Sequence, residues 1–168
     1  VVLAALQLSE FMLEYASEEL HNDKEFLLAA VQESKYALLW ASAALRNDKE
    51  VVLAAVQTYG CALEYASEDL QDDKEVVLAA VQHDGYALEY ASDALRADKE
   101  VVLFAMQQTG HALCYASEDF QDDKEVVLTA VQHDGWGEAL EYASDELRND
   151  KEVVLAAVQQ DGYALDYA

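Results

Sequence analysis

Histidine and cysteine are the residue types in this chain best suited to chemistry, and His111 and Cys114 stand closest together. Residues three apart share one face of a helix, so this pair could hold one metal ion weakly or act as a nucleophile and its base. No third member is evident in the sequence. His21, His83 and His133 form no pair at metal-ligand spacing. We therefore predict no catalytic residue, no metal and no cofactor.

Paired aspartates suggest a second kind of chemistry, the binding of calcium. Asp72-Asp73 and Asp122-Asp123 are such pairs, but the spacing of an EF-hand loop is absent around them. Both pairs come directly before an apolar segment of helical character, where the side chains that cap a helix belong. We predict that they cap helices. Glycine-rich phosphate loops and nucleotide fingerprints are also absent from the sequence.

Aromatic residues recur in two columns with a regular spacing. The first column is unbroken, and we predict that it packs between repeats: Tyr15, Trp40, Tyr65, Tyr90, Tyr115, Tyr142 and Tyr167. The second column is interrupted by Cys61. This column either binds an extended ligand or packs in the core between repeats. Its candidate partner-binding residues are Phe11, Tyr36, Tyr86, His111, Trp136 and Tyr163.

The columns belong to a repeat of 25 residues, present in seven copies that we treat as one domain. The copies span residues 1–25, 26–50, 51–75, 76–100, 101–125, 126–152 and 153–168, and the last is partial. The sixth copy is longer because Trp136, Gly137 and Glu138 replace a single aromatic residue. This insertion is either a local contact point or a neutral change of length.

Each copy contains the signals of two helices. The first starts with a capping box such as Asn47 to Glu50, runs through the apolar segment, and is expected to end at a left-handed glycine such as Gly60. The second carries both aromatic columns, and the serine within it leaves open one bent helix or two short ones. Helices this short need cover from neighbours. We therefore predict an all-α fold, an α-solenoid of about seven two-helix repeats with right-handed stacking.

Composition limits the classes of partner. The net charge is −24, which argues against nucleic acid as a partner and favours a protein with a basic or mixed-charge surface. No apolar run of 18 residues is present, so we expect no transmembrane segment. Cys61 and Cys114 fall two copies apart, too far for a disulfide, and are expected to be packing residues.

The repeat resembles a known family. The run Leu-Glu-Tyr-Ala-Ser-x-x-Leu-Arg-x-Asp-Lys-Glu-Val-Val-Leu-Ala-Ala-Val-Gln-x-x-Gly-Tyr-Ala, found between Ala87 and Val131 and repeated elsewhere, is similar to the tandem repeats called domain of unknown function 4116. The resemblance covers essentially the whole chain. It implies helical repeats without an established catalytic activity, and it assigns no functional residues.

These observations favour a non-catalytic scaffold that binds another protein or fills a structural position in a larger complex. The alternative is a recognition segment of a longer enzyme or effector protein. The sequence begins within the first helix of one copy and ends within the second helix of another, which we interpret as a piece of a longer array or a subunit covered by other proteins.

Overall fold

The computed structural model describes the backbone of residues 10–168 and the side chains of residues 13–168. Every regular element in this stretch is a helix, and elements of one copy contact the corresponding elements of the next. The all-α repeat solenoid is therefore confirmed, while its right-handed stacking stays a prediction. Among the described helices, none is long and apolar enough to cross a membrane.

A complete copy has three elements rather than two. The long helices are Lys24–Glu33, Lys49–Thr58, Lys74–His83, Lys99–Gln108, Lys124–Gln132 and Lys151–Gln160. The long helix is followed by a 3₁₀ helix, except in the second copy, where one α-turn, Ala37–Trp40, takes its place. The 3₁₀ helices are Glu10–Tyr15, Gly60–Tyr65, Gly85–Tyr90, Gly110–Tyr115, Ala139–Tyr142 and Gly162–Tyr167. Short α-helices end the copies: Glu18–His21, Ala43–Arg46, Glu68–Gln71, Asp93–Arg96, Glu118–Gln121 and Asp145–Arg148. The open question about the second helix is thus answered in favour of two short elements.

Where a capping box was predicted, the long helix begins one residue later than the prediction; at Ala97, which breaks the box, Asp98 is the cap as expected. The N-cap is Asp48 rather than Asn47, and its carboxylate accepts hydrogen bonds from the backbone N–H groups of Glu50 and Val51 at 3.1 and 3.3 Å. Aspartate holds the corresponding position in every described long helix. The prediction was wrong because Asn and Asp stand side by side, and both are good caps.

The glycines do not end the long helices in the left-handed conformation, and that prediction was also wrong. Among the described residues only Gly137 has a positive φ, of 73°. The helix Lys24–Glu33 ends at the usual place although Lys35 stands where other copies have glycine. Glycine instead allows close approach between copies, because a Cβ on Gly110 would lie 2.0 Å from the carbonyl oxygen of Ala130.

Valine and alanine fill the space between the stacked copies. In the helix Lys74–His83, the side chains of Val76, Val77, Ala80 and Val81 are completely buried. The long helices form one layer and the 3₁₀ helices form a second layer against it. Alanine lets the backbones approach, while the branched valines fill the remaining volume at little cost in side-chain entropy.

A serine that precedes each short helix links neighbouring copies by two hydrogen bonds. The backbone N–H of Ser67 donates to the carbonyl of Arg46 at 2.9 Å, and its hydroxyl donates to Asn47 Oδ1 at 2.5 Å. The first bond recurs at Ser42, Ser92, Ser117 and Ser144. The second recurs wherever the preceding copy has Asn or Asp. At Ala97 this acceptor is missing, and the buried hydroxyl of Ser117 has no partner among the described residues.

A ladder of lysines also crosses from copy to copy. Lys24 Nζ lies 2.8 Å from Asp48 Oδ2 and 2.8 Å from Glu50 Oε2. Lys49, Lys74, Lys99 and Lys124 repeat this arrangement. Hydrogen bonding to the lysine holds the pKa of each lysine-paired cap carboxyl below its ordinary value, and the two carboxylates raise the pKa of each of these lysines; the paired caps are Asp48, Asp73, Asp98, Asp123 and Asp150. Every such lysine is therefore outnumbered by carboxylates, two to one.

We expect Gly110→Ala to lower the free energy of unfolding by about 1–3 kcal/mol, because the new methyl group overpacks the contact between copies. The matched control is Gly162→Ala, where a Cβ meets nothing within 4 Å. That change should be neutral or slightly stabilising, because alanine restricts the unfolded chain. Urea unfolding followed by circular dichroism measures both. Equal effects at the two positions would contradict the role of glycine in close approach.

Ala97→Asn should raise the free energy of unfolding by about 0.5–1.5 kcal/mol, because it supplies the acceptor that the Ser117 hydroxyl lacks. Ala97 and Asn47 have nearly the same backbone angles, with φ of −103° at both, so asparagine fits without strain. The reverse change, Asn47→Ala, should destabilise by a comparable amount. Destabilisation by Ala97→Asn in the same urea experiment would count against this account of the serine contact.

Candidate partner-binding surface

Both aromatic columns lie on the layer of 3₁₀ helices, and we call their face between Tyr36 and Tyr167 the aromatic surface. From Trp40 to Tyr167 the first column is half-buried and packed against the core. Burial raises the pKa of Tyr115 to about 12 and raises the pKa of Tyr90 and Tyr142 as well. The structure thus places this column between core and solvent, as expected for packing aromatics with a polar tip. Tyr15 differs, with 76% exposure.

Second-column rings pack against first-column rings of the following copy. The centroid of the Tyr36 ring lies 6.3 Å from that of Tyr65, and the centroid of Tyr86 lies 6.4 Å from that of Tyr115. At the third junction, the rings of His111 and Tyr142 meet edge to face at 5.1 Å. Such geometries are favourable for aromatic pairs. Histidine therefore takes the structural place of an aromatic ring at this junction.

Exposure separates the predicted partner-binding residues into two groups. Trp136 and Tyr163 are 75% and 76% exposed, and Tyr86 is 40% exposed. Tyr36 and His111 are half-buried. The side chain of Phe11 lies outside the described residues. Three candidates therefore present large apolar area to solvent, and two serve mainly as contacts between copies.

The insertion that carries Trp136 is held by a buried aspartate. Asp134 is 4% exposed, and its carboxylate accepts hydrogen bonds from the backbone N–H groups of Trp136 and Ala139 at 3.2 and 2.5 Å. In the uninserted fourth copy, the N–H of Ala87 is bonded to the backbone carbonyl of Asp84 instead. The carboxylate of Asp134 thus reaches across the two extra residues and restores the bond that the insertion would break.

The insertion also brings a carboxylate to His111. Glu138 Oε2 lies 3.3 Å from His111 Nδ1, and the Tyr142 hydroxyl lies 3.5 Å from His111 Nε2. The two departures from the repeat consensus, a histidine in the second column and an insertion one copy later, are therefore in contact. Sequence reasoning identified both and missed this link, because their separation of 27 residues has meaning only once the stacking register is known.

Neither cysteine has the surroundings of a nucleophile. Burial raises the pKa of the thiols of Cys61 and Cys114, which disfavours the reactive thiolate. Both are free thiols. Within the described part of the chain, no group of three or more histidine, cysteine or acidic side chains is placed to hold a metal ion.

Carboxylates surround the aromatic surface. Glu64, Glu89 and Glu141 are exposed beside the first-column tyrosines, and Glu138 is partly exposed beside His111. Lys35 is a basic side chain that lies here, with its ammonium 5.0 Å from the centroid of the Tyr36 ring. The surface therefore combines exposed rings with several exposed carboxylates.

Stacked three-element copies with a ring-bearing face define a tandem helical repeat protein. A family model described as domain of unknown function (DUF4116) matches residues 1–46, 38–71, 48–96, 73–121, 98–137 and 123–168. These segments together cover the chain, which therefore belongs to this family, as the repeat motif indicated. No curated protein and no solved structure matches the chain.

Asp134→Ala should lower the free energy of unfolding by about 1–3 kcal/mol, because it leaves the buried N–H of Ala139 without its acceptor. It should also speed hydrogen exchange at the Ala139 amide. The matched control is Asp84→Ala in the fourth copy, which removes one exposed bond to the N–H of Tyr86 and should cost less. Equal losses at both positions would show that Asp134 does not hold the insertion.

Proposed function

We propose that this chain is a non-catalytic repeat scaffold that binds a protein partner through the aromatic surface, either alone or as a structural member of a larger complex. The observation that carries the proposal is the exposure of three second-column rings, Tyr86, Trp136 and Tyr163. Exposed tryptophan and tyrosine dominate the binding energy of many protein interfaces. Three such exposed rings in one column support a role in binding a partner rather than a role in packing between copies.

Rigidity at Trp136 supports the same proposal. The two hydrogen bonds of Asp134 and the close contact of Gly137 with the last copy, where a Cβ would lie 3.1 Å from the backbone nitrogen of Ala164, fix the inserted segment. A ring presented by a fixed segment loses little conformational freedom on binding. Chance lengthening of a surface loop would need no such anchor.

Charge supports a basic or mixed-charge partner. The net charge is −24, and each ladder lysine is already paired with two carboxylates. The field near the surface is therefore negative, so a basic partner would be attracted at long range and released by salt. The same field repels the phosphates of nucleic acid.

A recognition segment within a longer enzyme or effector protein is the alternative, because the same surface could direct substrate choice. The length of the parent gene separates the two functions. A catalytic domain encoded beyond either end would favour the alternative, in which this segment recognises the substrate for that domain.

The test captures partners from an extract of the source cells with the immobilised chain at low and high salt. We expect the wild-type chain to retain a basic protein at low salt and to release it at high salt. Trp136→Ala should lower the amount retained about tenfold or more, as expected of a central aromatic contact. Leu155→Ala is the control, because Leu155 is an exposed apolar side chain on the layer of long helices. Unchanged capture by Trp136→Ala, or capture of nothing at either salt, would overturn the proposal.

A further inference from the structure

A register rule links the two columns. Counted along the chain, Tyr36 packs on Tyr65 and Tyr86 packs on Tyr115, so in both cases the second-column ring meets the first-column ring 29 residues later. His111 on Tyr142 obeys the same rule once the two extra residues of the insertion are allowed for. The rule follows from stacking, because 29 residues are one copy of 25 plus the four residues that separate the two columns within a copy, as between Tyr86 and Tyr90.

At the junction between the third and fourth copies the second-column ring itself is missing. By the same register Cys61 faces Tyr90, and a cysteine side chain is too short to reach a ring as tyrosine does. A cavity of about 210 Å³ remains, open to solvent and lined by Lys35, Tyr36, Cys61, Glu64, Tyr65 and Tyr90. We call it the Cys61 pocket. It is the counterpart of the space that Tyr36, Tyr86 and His111 fill at their own junctions.

The lining of the Cys61 pocket is aromatic with a polar rim. Three tyrosines contribute to its walls, and Cys61 itself is half-buried with a thiol pKa raised by burial. Glu64 lies on the rim, and burial together with this neighbouring carboxylate raises the pKa of Tyr65. Lys35 lies over the ring of Tyr36. The volume is below the roughly 300–1,000 Å³ of small-molecule sites, so one side chain suits it better than a larger ligand.

We propose that the Cys61 pocket receives an aromatic side chain from a basic segment of the partner protein, which completes the second column from outside the chain. The shape argument is that the same slot holds a ring at three equivalent junctions. The charge argument is that exposed carboxylates such as Glu64 and Glu89 flank the pocket, so basic residues beside the incoming ring are favoured. This inference rests on the proposed scaffold function and names the chemistry of its partner.

The first experiment uses two peptides and needs no knowledge of the partner. The probe is acetyl-Lys-Lys-Trp-Lys-Lys-amide, and the control has alanine in place of tryptophan, so that both carry the same charge. Fluorescently labelled versions are titrated with the full chain and followed by anisotropy. We expect the tryptophan peptide to bind about tenfold or more tightly than the alanine peptide. Equal affinity would mean binding by charge alone and would overturn the pocket.

Two variants locate the binding site. Cys61→Tyr restores the second-column ring, should raise the melting temperature, and should reduce the affinity for the tryptophan peptide to that of the alanine peptide. Cys61→Ala is the matched control, because it removes the thiol and leaves the pocket open, so binding should persist. Loss of binding in both variants, or in neither, would overturn the proposal.

A double variant that moves the missing ring to another junction makes the test stricter. In Cys61→Tyr combined with Tyr86→Cys, the missing ring moves to the junction facing Tyr115, and affinity for the tryptophan peptide should return.

In a Cys114→Ser background, iodoacetamide then reports which pocket is occupied. At a peptide concentration ten times Kd, alkylation at Cys61 in the original register should slow about tenfold. Unprotected Cys61 in the presence of bound peptide would place the ring elsewhere and overturn the proposal, while leaving the Trp136 test of the scaffold function unaffected.

Discussion

Contact between neighbouring copies is the constraint on which the rest of the structure depends. The described long helices reach ten residues and the short ones four, whereas isolated helices below about 12–15 residues are marginal in water. Each copy therefore gains its stability from the faces of its neighbours, through the buried valines and through the approach of Gly110 to the carbonyl of Ala130. Because this contact tolerates little added volume, the core positions vary little between copies, and the changes that occur, such as Leu27 in place of valine and Met106 in place of valine, exchange one apolar side chain for another.

Polar contacts fix the register between neighbouring copies, which apolar packing alone would define poorly. The serine ahead of a short helix reaches the preceding copy, as Ser67 does to Asn47, and the lysine at the start of a long helix reaches the following copy, as Lys49 does to Asp73. A shift of one residue between neighbouring copies would break all of these bonds at once. The apolar contacts of valine with alanine would distinguish the correct register from the shifted one only weakly. The lysine ladder also helps so acidic a chain to stack closely, because it places a positive charge of one copy against the cap aspartate and the glutamate at the helix start of the following copy.

The fold could be predicted from sequence because it follows from periodicity, whereas details of the turns could not. The repeat, the helical character of the apolar segment and the packing role of the first column all rest on spacing. The helix caps were predicted one residue early because Asn47 and Asp48 are equally suited by type, and only the backbone angles separate them. Gly60 was assigned to a left-handed turn because that is the commonest reason for glycine after a helix, but close approach between copies is a long-range property that no local pattern reveals. For the same reason the Cys61 pocket and the contact of His111 with Glu138 required the stacking register.

Departures from the repeat are where recognition can reside, and the reason is symmetry. Identical stacked copies present a surface that repeats with each step, so a partner that reads only the consensus would bind equally well in several registers. Features that occur once remove this degeneracy: a vacancy at Cys61 in the third copy, a histidine in the fifth and an exposed tryptophan in the sixth. All three lie on the aromatic surface, and none disturbs the valines and alanines beneath it. A partner that contacted two of these features at once would be fixed in position along the array, because their spacing occurs only one way in the chain.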